Sequence, residues 1–116
     1  MTGDELAVLL ARGEIALVDV RSRAEYEGER GYPCDPRQGH IPGAVHVDVN
    51  ELFAAGGNAE ALRALLAGRG VPGDARVVAY CHSGSRSEMA AALLRAAGVE
   101  AENYAGSWHE WSRRPA

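Results

Sequence analysis

The chain has no lysine, and all twelve of its basic residues are arginine. Against them stand sixteen Asp and Glu, so the formal charge is −4 over 116 residues. A chain of that balance lacks the basic face that general nucleic-acid binding needs, and nucleic acid is not expected as a partner. Two cysteines are too few for a disulfide scaffold. No run of ~20 apolar residues exists, so no segment is expected to span a membrane. Met1 to Leu10 carry Asp4 and Glu5 and no basic residue. That is not the pattern of a secretory signal, and a cytoplasmic location is expected. Large apolar side chains are also scarce. Ala supplies 21 residues and Ile two, while Leu, Val, Ile, Phe and Met together total 25. These fill one interior, so residues 1–116 are expected to form a single domain. The Lys-free, Ala-rich bias looks genomic, and no mechanism attaches to it.

What is present alternates between helix and strand patterns. Thr2 and Glu5 have capping-box spacing, in which each side chain serves a free backbone N–H of the other. Leu6, Leu9 and Leu10 form an apolar stripe, and Gly13 is a stop. Ile15 to Val20 is a short apolar run that reads as a buried parallel strand, with Asp19 out of place in it. Ser22 caps a short helix holding Glu25 and Tyr26. Gly28 to Gly43, with four Gly and three Pro, is a long loop of the kind that is often functional. Ala44 to Val49 reads as a second strand. Asn50 or Asn58 caps the following helix, whose face is Ala59, Leu62, Leu65 and Leu66. Arg76 to Tyr80 is the best strand. A helix from Ser85 carries Met89, Leu93, Leu94 and Ala97, and Val99 to Ala105 reads as a last strand. This order predicts an α/β fold: a central, mostly parallel sheet of four to five strands with helices on both faces. Ligands of such sheets bind beyond the carboxyl ends of the strands.

The chemistry concentrates in the loop after the best strand, Cys81-His82-Ser83-Gly84-Ser85-Arg86-Ser87. Gly84 lets the backbone curl through positive φ, so that the N–H groups of His82 to Ser87 turn inward as an anion nest. Ser85 and Glu88 repeat the capping-box spacing. The helix N-terminus adds partial positive charge and Arg86 a full one. A thiol at the base of such a cradle is expected to have a depressed pKa and to be partly thiolate at neutral pH.

At these residues the chain resembles the rhodanese (sulfurtransferase) family, over nearly its whole length. Leu17-Val18-Asp19-Val20-Arg21-Ser22 with Glu25-Tyr26 is similar to the family's first signature, and Gly39-His40-Ile41-Pro42-Gly43-Ala44 to its second. Cys81 to Ser87 matches the active loop Cys-x-x-Gly-x-Arg-Ser, and Tyr104 to Trp111 resembles the closing motif. The closing motif and the Pro-rich loop are most like the catalytic C-terminal half of tandem thiosulfate sulfurtransferases. The resemblance implies a sulfurtransferase. Cys81 takes sulfane sulfur from thiosulfate or a related small anionic donor, becomes a persulfide, and yields the sulfur to cyanide or a thiol. His82, Ser83, Gly84, Ser85, Arg86 and Ser87 bind the donor, with no metal or organic cofactor required.

Other residues are read more plainly. The resemblance implies that Asp19 and Arg21 tie the strand end to neighbouring loops. An Arg21–Glu25 pair four residues apart is an equally ordinary reading. His40 is expected to hold a backbone carbonyl. Arg37 either lines the donor pocket or is a solvated surface residue. Trp108 and Trp111 are expected to cover the end of the sheet. Cys34 is either a resolving thiol for the Cys81 persulfide or an exposed bystander, and the bystander reading is favoured. Three rivals remain: a phosphatase or arsenate reductase of the same fold, a non-enzymatic interaction module, and a persulfide carrier serving a sulfur-accepting protein. The first uses five residues between Cys and Arg, where this chain has four. The Ser85-Arg86-Ser87 ending favours thiosulfate over mercaptopyruvate, whose loops end Gly-Val-Thr.

Overall fold

The computed structural model describes residues 1–115, so the expected domain boundary at Ala116 lies outside the described residues. In chain order the elements are α1 (Gly3–Ala11), β1 (Ala16–Asp19), α2 (Arg23–Tyr26), β2 (Val45–His46), α3 (Val49–Ala54), α4 (Ala59–Gly68), β3 (Val77–Tyr80), α5 (Ser85–Ala96), β4 (Ala101–Asn103) and α6 (Ser107–Trp111). The four strands run in the order β2-β1-β3-β4 and every pairing is parallel. β1 registers Ala16 on Val77 and Asp19 on Tyr80, while β3 registers Val77 on Ala101.

Alternation along the strands divides the core in two, because successive side chains point to opposite faces. Val18, Val77 and Ala79 face α3, α4 and α5, packing with Leu52, Leu62, Leu66, Ala90, Ala91 and Leu94. Leu17, Val78 and Tyr80 face α1 and α6, packing with Leu6, Ile41, Tyr104 and Trp108. Burying each Leu or Val contributes about 1.5–3 kcal/mol. The many alanines on α5 let that helix sit close against β3, since Ala90 and Ala91 are fully buried. Trp108 is buried and Trp111 packs at the margin of the second core, so both cover the sheet there.

Local capping chemistry sets the helix starts. Thr2 with Glu5 and Ser22 with Glu25 form reciprocal capping boxes. Two features differ from the sequence reading. The stretch 44–49 is a two-residue strand followed directly by a helix, because Asp48, not Asn50, caps α3 through a capping box with Glu51. Asn58 caps the separate helix α4. The last strand is likewise only Ala101–Asn103, since Tyr104 leaves the ladder after its amide reaches the Ala79 carbonyl at 2.9 Å. No helix among the described residues is long and apolar enough to cross a membrane.

Candidate active site

Cys81 is the first residue after β3, the strand between β1 and β4, and it is 1 % exposed. Its Sγ lies 3.1 Å from the Gly84 backbone N–H and 3.3 Å from Ser87 Oγ. Burial pushes the Cys81 thiol up. Hydrogen bonds from the Ser87 hydroxyl and from the amides of Ser87, Gly84 and Ser83 outweigh it, and the net direction is down. The backbone turns through Gly84 at φ +99°, and a Cβ there would stand 2.7 Å from the Ala105 carbonyl oxygen. Only glycine meets both demands. The twelve-residue helix α5 starts immediately after, with its N-terminus toward the sulfur.

The cap of that helix differs from expectation. Gly84 occupies the N-cap in the left-handed conformation, and no side chain caps the helix. Ser85 is its first residue and is exposed, as is Ser83. Glu88 does not reach back to Ser85 but accepts from Asn103 Nδ2 at 3.0 Å. A left-handed N-cap points its own N–H into the nest, which leaves Ser85 too late to serve as cap.

Arg86 differs as well. Its guanidinium makes a two-pronged pair with Glu25, Nη1 to Oε1 at 2.8 Å and Nη2 to Oε2 at 3.1 Å. Burial pushes the Glu25 carboxyl up, but the hydrogen bonds and charge of Arg86, with help from Ser22, draw it down to about 2. The cation beside the cradle is therefore shared with a carboxylate that links α2 to α5. Glu25 does not pair with Arg21, because Arg21 faces Asp19.

Asp19 and Arg21 are both fully buried. Arg21 donates from Nε and Nη2 to the Asp19 carboxylate, at 3.0 and 2.7 Å, and from Nη2 to the Gly39 carbonyl at 2.6 Å. Its guanidinium lies over the rings of Tyr80 and Trp108, 5.7 and 5.3 Å from their centroids. The pair thus joins the end of β1 to the 28–43 loop, and Tyr80 Oη joins it again by accepting from the Ile41 amide at 3.0 Å. His40 stacks on Tyr26 and places Nδ1 2.8 Å from the Tyr26 carbonyl oxygen. His82 places Nε2 2.8 Å from Asp35 Oδ2, and Tyr32 stacks on its ring at 3.8 Å. Arg37 donates to the Trp111 carbonyl at 3.1 Å, in a cavity with Ala7, Pro42 and Trp111. Its guanidinium is engaged there, not in the cradle. A smaller cavity of about 180 Å³ beside the cradle is lined by Glu25, Arg30, Gly31 and Tyr32. Cys34 and Cys81 are both free thiols, Cys34 exposed.

Three residues support the cradle without having been singled out in the sequence. Asn103 Nδ2 donates to the Gly84 carbonyl at 3.1 Å, while Asn103 Oδ1 is buried without a partner. Leaving an acceptor unpaired costs about 1–3 kcal/mol, a cost carried to hold that carbonyl in place. Ser107, at φ +54°, accepts from the Cys81 amide at 3.1 Å and donates to the Tyr104 carbonyl. Asp35 orients His82. Ser107 lies within a matched motif, but its partner was not visible there. Asn103 and Asp35 lie outside the matched motifs, and only tertiary packing brings them in.

A strand-end thiol in a backbone anion cradle, on a four-stranded parallel sheet, defines the class to which the comparisons point. The family model for the rhodanese-like domain matches residues 2–114, and the chain belongs to that family. The human single-domain sulfurtransferase TSTD1 is 34% identical, superposes with a TM-score of 0.75, and is covered over 96% of its chain by 100% of this one. A thiosulfate sulfurtransferase of Azotobacter vinelandii is 36% identical over 97% of this chain and 42% of its own length. The sulfur carrier protein TtuD of Thermus thermophilus is 37% identical over 92% of this chain and 41% of its own. The chain spans about two fifths of the length of the curated relatives it matches.

Proposed function

We propose that the chain is a sulfurtransferase that carries sulfane sulfur as a persulfide on Cys81. The observation that carries this reading is the convergence of the Gly84 amide and the Ser87 hydroxyl on a buried sulfur, at 3.1 and 3.3 Å. In the first half-reaction the Cys81 thiolate attacks the outer sulfur of thiosulfate. The sulfur–sulfur bond of the donor breaks and its electron pair leaves with sulfite. The cradle N–H groups then stabilise the charge on the persulfide. In the second half-reaction cyanide or a thiolate attacks the outer persulfide sulfur, and the Cys81 thiolate returns. Each step balances without an oxidant, a metal or an organic cofactor. His82, Ser83, Gly84, Ser85 and Ser87 line the cradle. Arg86, held by Glu25, sets the charge at its rim, and Asp19, Arg21 and His40 fix the loops around it.

The names of the relatives support sulfur transfer and leave the acceptor open between a small nucleophile and a sulfur-accepting protein. Four residues separate Cys81 from Arg86. That ring suits a sulfur anion better than a tetrahedral phosphate, against the phosphatase and arsenate reductase readings. The retained Cys81 argues against a purely non-enzymatic module. The test is an intact-mass measurement after incubation with thiosulfate, followed by cyanide and a thiocyanate assay. One added sulfur atom is expected, removed by cyanide and absent in Cys81→Ser. Full activity in Cys81→Ser, or aryl-phosphate hydrolysis without thiosulfate turnover, overturns the reading.

A further inference from the structure

The 28–43 loop, the Cys81 loop and α6 meet at a cluster of metal-ligating side chains that takes in His82 but not Cys81. Cys34 offers a thiol, Asp35 a carboxylate, and His82 and His109 one ring nitrogen each, and the four ligand atoms all lie within 4.8 Å of one another. The geometry points to a binding site for a borderline divalent metal ion of the Zn²⁺ type, formed by Cys34, Asp35, His82 and His109.

The ligand chemistry selects the metal. One thiolate, two imidazoles and one carboxylate are a set that suits Zn²⁺, whereas Mg²⁺ and Ca²⁺ call for oxygen alone. A tetrahedral Zn²⁺ with bonds of ~2.0–2.3 Å holds its ligand atoms roughly 3.3–3.6 Å apart, so the cluster closes by movements on the order of 1 Å. The two inner ligands are already set. The Asp35 side chain is fully buried, with His82 Nε2 at 2.8 Å and His109 Nδ1 at 3.5 Å from its oxygens. The His82 ring is stacked on Tyr32. The two outer ligands have room to move, since Cys34 is exposed and the His109 side chain is 49 % exposed. Cys34 Sγ stands 3.9 Å from Asp35 Oδ1.

A cation already sits against this group. Arg113 Nη1 is 3.0 Å from Asp35 Oδ1 and 3.2 Å from His109 Nδ1, and Nη2 donates to the Cys34 carbonyl at 2.8 Å. Its side chain is 38 % exposed. A metal ion takes over the neutralisation of Asp35 and releases Arg113 to solvent, so the two cations are alternatives. The site shares His82 with the cradle, while the proposed sulfur chemistry itself needs no metal. It assigns a role to Cys34 that neither the resolving-thiol nor the bystander reading contains. Occupancy ties three segments at one point and draws Cys34 away from reaction with persulfide or oxidant.

The test titrates the full chain, reduced with a non-thiol phosphine, with Zn²⁺ and with Co²⁺ as a spectroscopic probe. Wild type, Cys81→Ser, Cys34→Ser and His109→Gln are compared. Cys34 and His109 are exposed, so both substitutions are expected to leave the far-ultraviolet circular dichroism unchanged. One metal per chain is expected in wild type and in Cys81→Ser. A near-ultraviolet sulfur-to-cobalt charge-transfer band should persist in Cys81→Ser and vanish in Cys34→Ser. Zn²⁺ affinity should fall at least ~10-fold in Cys34→Ser and in His109→Gln, since loss of an outer-shell partner alone costs about 10–100-fold. Three results overturn the proposal: no saturable binding at metal concentrations near that of the protein, a band that follows Cys81 instead of Cys34, or an affinity indifferent to His109→Gln.

Discussion

Ser87→Ala isolates the activation of the thiol from the rest of the cradle. The Ser87 hydroxyl is fully buried, 3.3 Å from Cys81 Sγ and 3.2 Å from the Gly84 carbonyl. It carries one proton and can serve one acceptor at a time. Facing a thiol the proton goes to the carbonyl, and facing a thiolate it goes to the sulfur. Removing it takes away one hydrogen bond to an ionised group, worth about 1.5–3 kcal/mol. The thiol form loses its bond to the Gly84 carbonyl, worth about 0.5–1.5 kcal/mol, so the two forms differ by roughly 1–1.5 kcal/mol. Since ~1.4 kcal/mol is a factor of ten, the thiolate population below its titration midpoint falls about tenfold. The fold should hardly notice, because the Gly84 carbonyl keeps Asn103 Nδ2 as donor. The assay is the rate of Cys81 alkylation against pH, read by intact mass in a Cys34→Ser background, beside thiosulfate-driven persulfidation. The alkylation profile should move to higher pH, and persulfidation on the acid side of the midpoint should slow about tenfold and recover as pH rises. An alkylation profile that stays in place in a folded Ser87→Ala protein refutes the argument that side-chain donation sets the thiol.

The remaining predictions test the supports of the site. Gly84→Ala puts a Cβ at φ +99° and 2.7 Å from the Ala105 carbonyl. The left-handed conformation alone costs roughly 1–2 kcal/mol, and displacing the Gly84 amide by about 1 Å should slow persulfide formation on the order of a hundredfold in a thiocyanate assay. Glu25→Gln breaks the two-pronged pair with Arg86, whose side chain is partly exposed, and should lower the urea-unfolding free energy by about 1–3 kcal/mol. The Glu25 carboxyl is drawn down to about 2 in the folded chain from 4.5. Its contribution is therefore complete above pH ~4.5 and is lost as pH falls toward ~2, a slope in the acid-unfolding curve that Glu25→Gln should flatten. Arg37→Ala should leave the thiosulfate KM within about twofold, the range of a surface change, because its guanidinium serves the Trp111 carbonyl.

Where local chemistry decides an element, the sequence was a sufficient guide. The capping box at Thr2, the cap at Ser22, the apolar run leading to Asp19 and the strand before Cys81 all depend on neighbours within four residues. The structure has them at those places. Gly84 was readable for the same reason, since a positive φ leaves few other residue types. The reading failed where distant groups compete. Ser85 has capping-box spacing, but the left-handed Gly84 takes the N-cap. Arg86 appears as a free cation until folding brings up Glu25, sixty-one residues away in the chain. The 44–49 stretch is apolar enough for a longer strand, yet Asp48 starts a helix inside it. Arg37, Asn103 and Asp35 have no local pattern, and only tertiary packing says which carbonyl, amide or imidazole each will meet.

The hold of α6 on the Cys81 loop bears on the order in which the site is built. The Trp108 and His109 amides donate to the Cys81 and His82 carbonyls, each at 2.9 Å, and Ser107 Oγ takes the Cys81 amide across a separation of 26 residues. A chain emerging from the ribosome makes its thiol long before it makes these donors. Until residues 107–109 pack, the Cys81 and His82 carbonyls and the Cys81 amide lack these partners. The setting of the thiol thus follows completion of the sheet around it, and the cradle is a property of the folded domain alone.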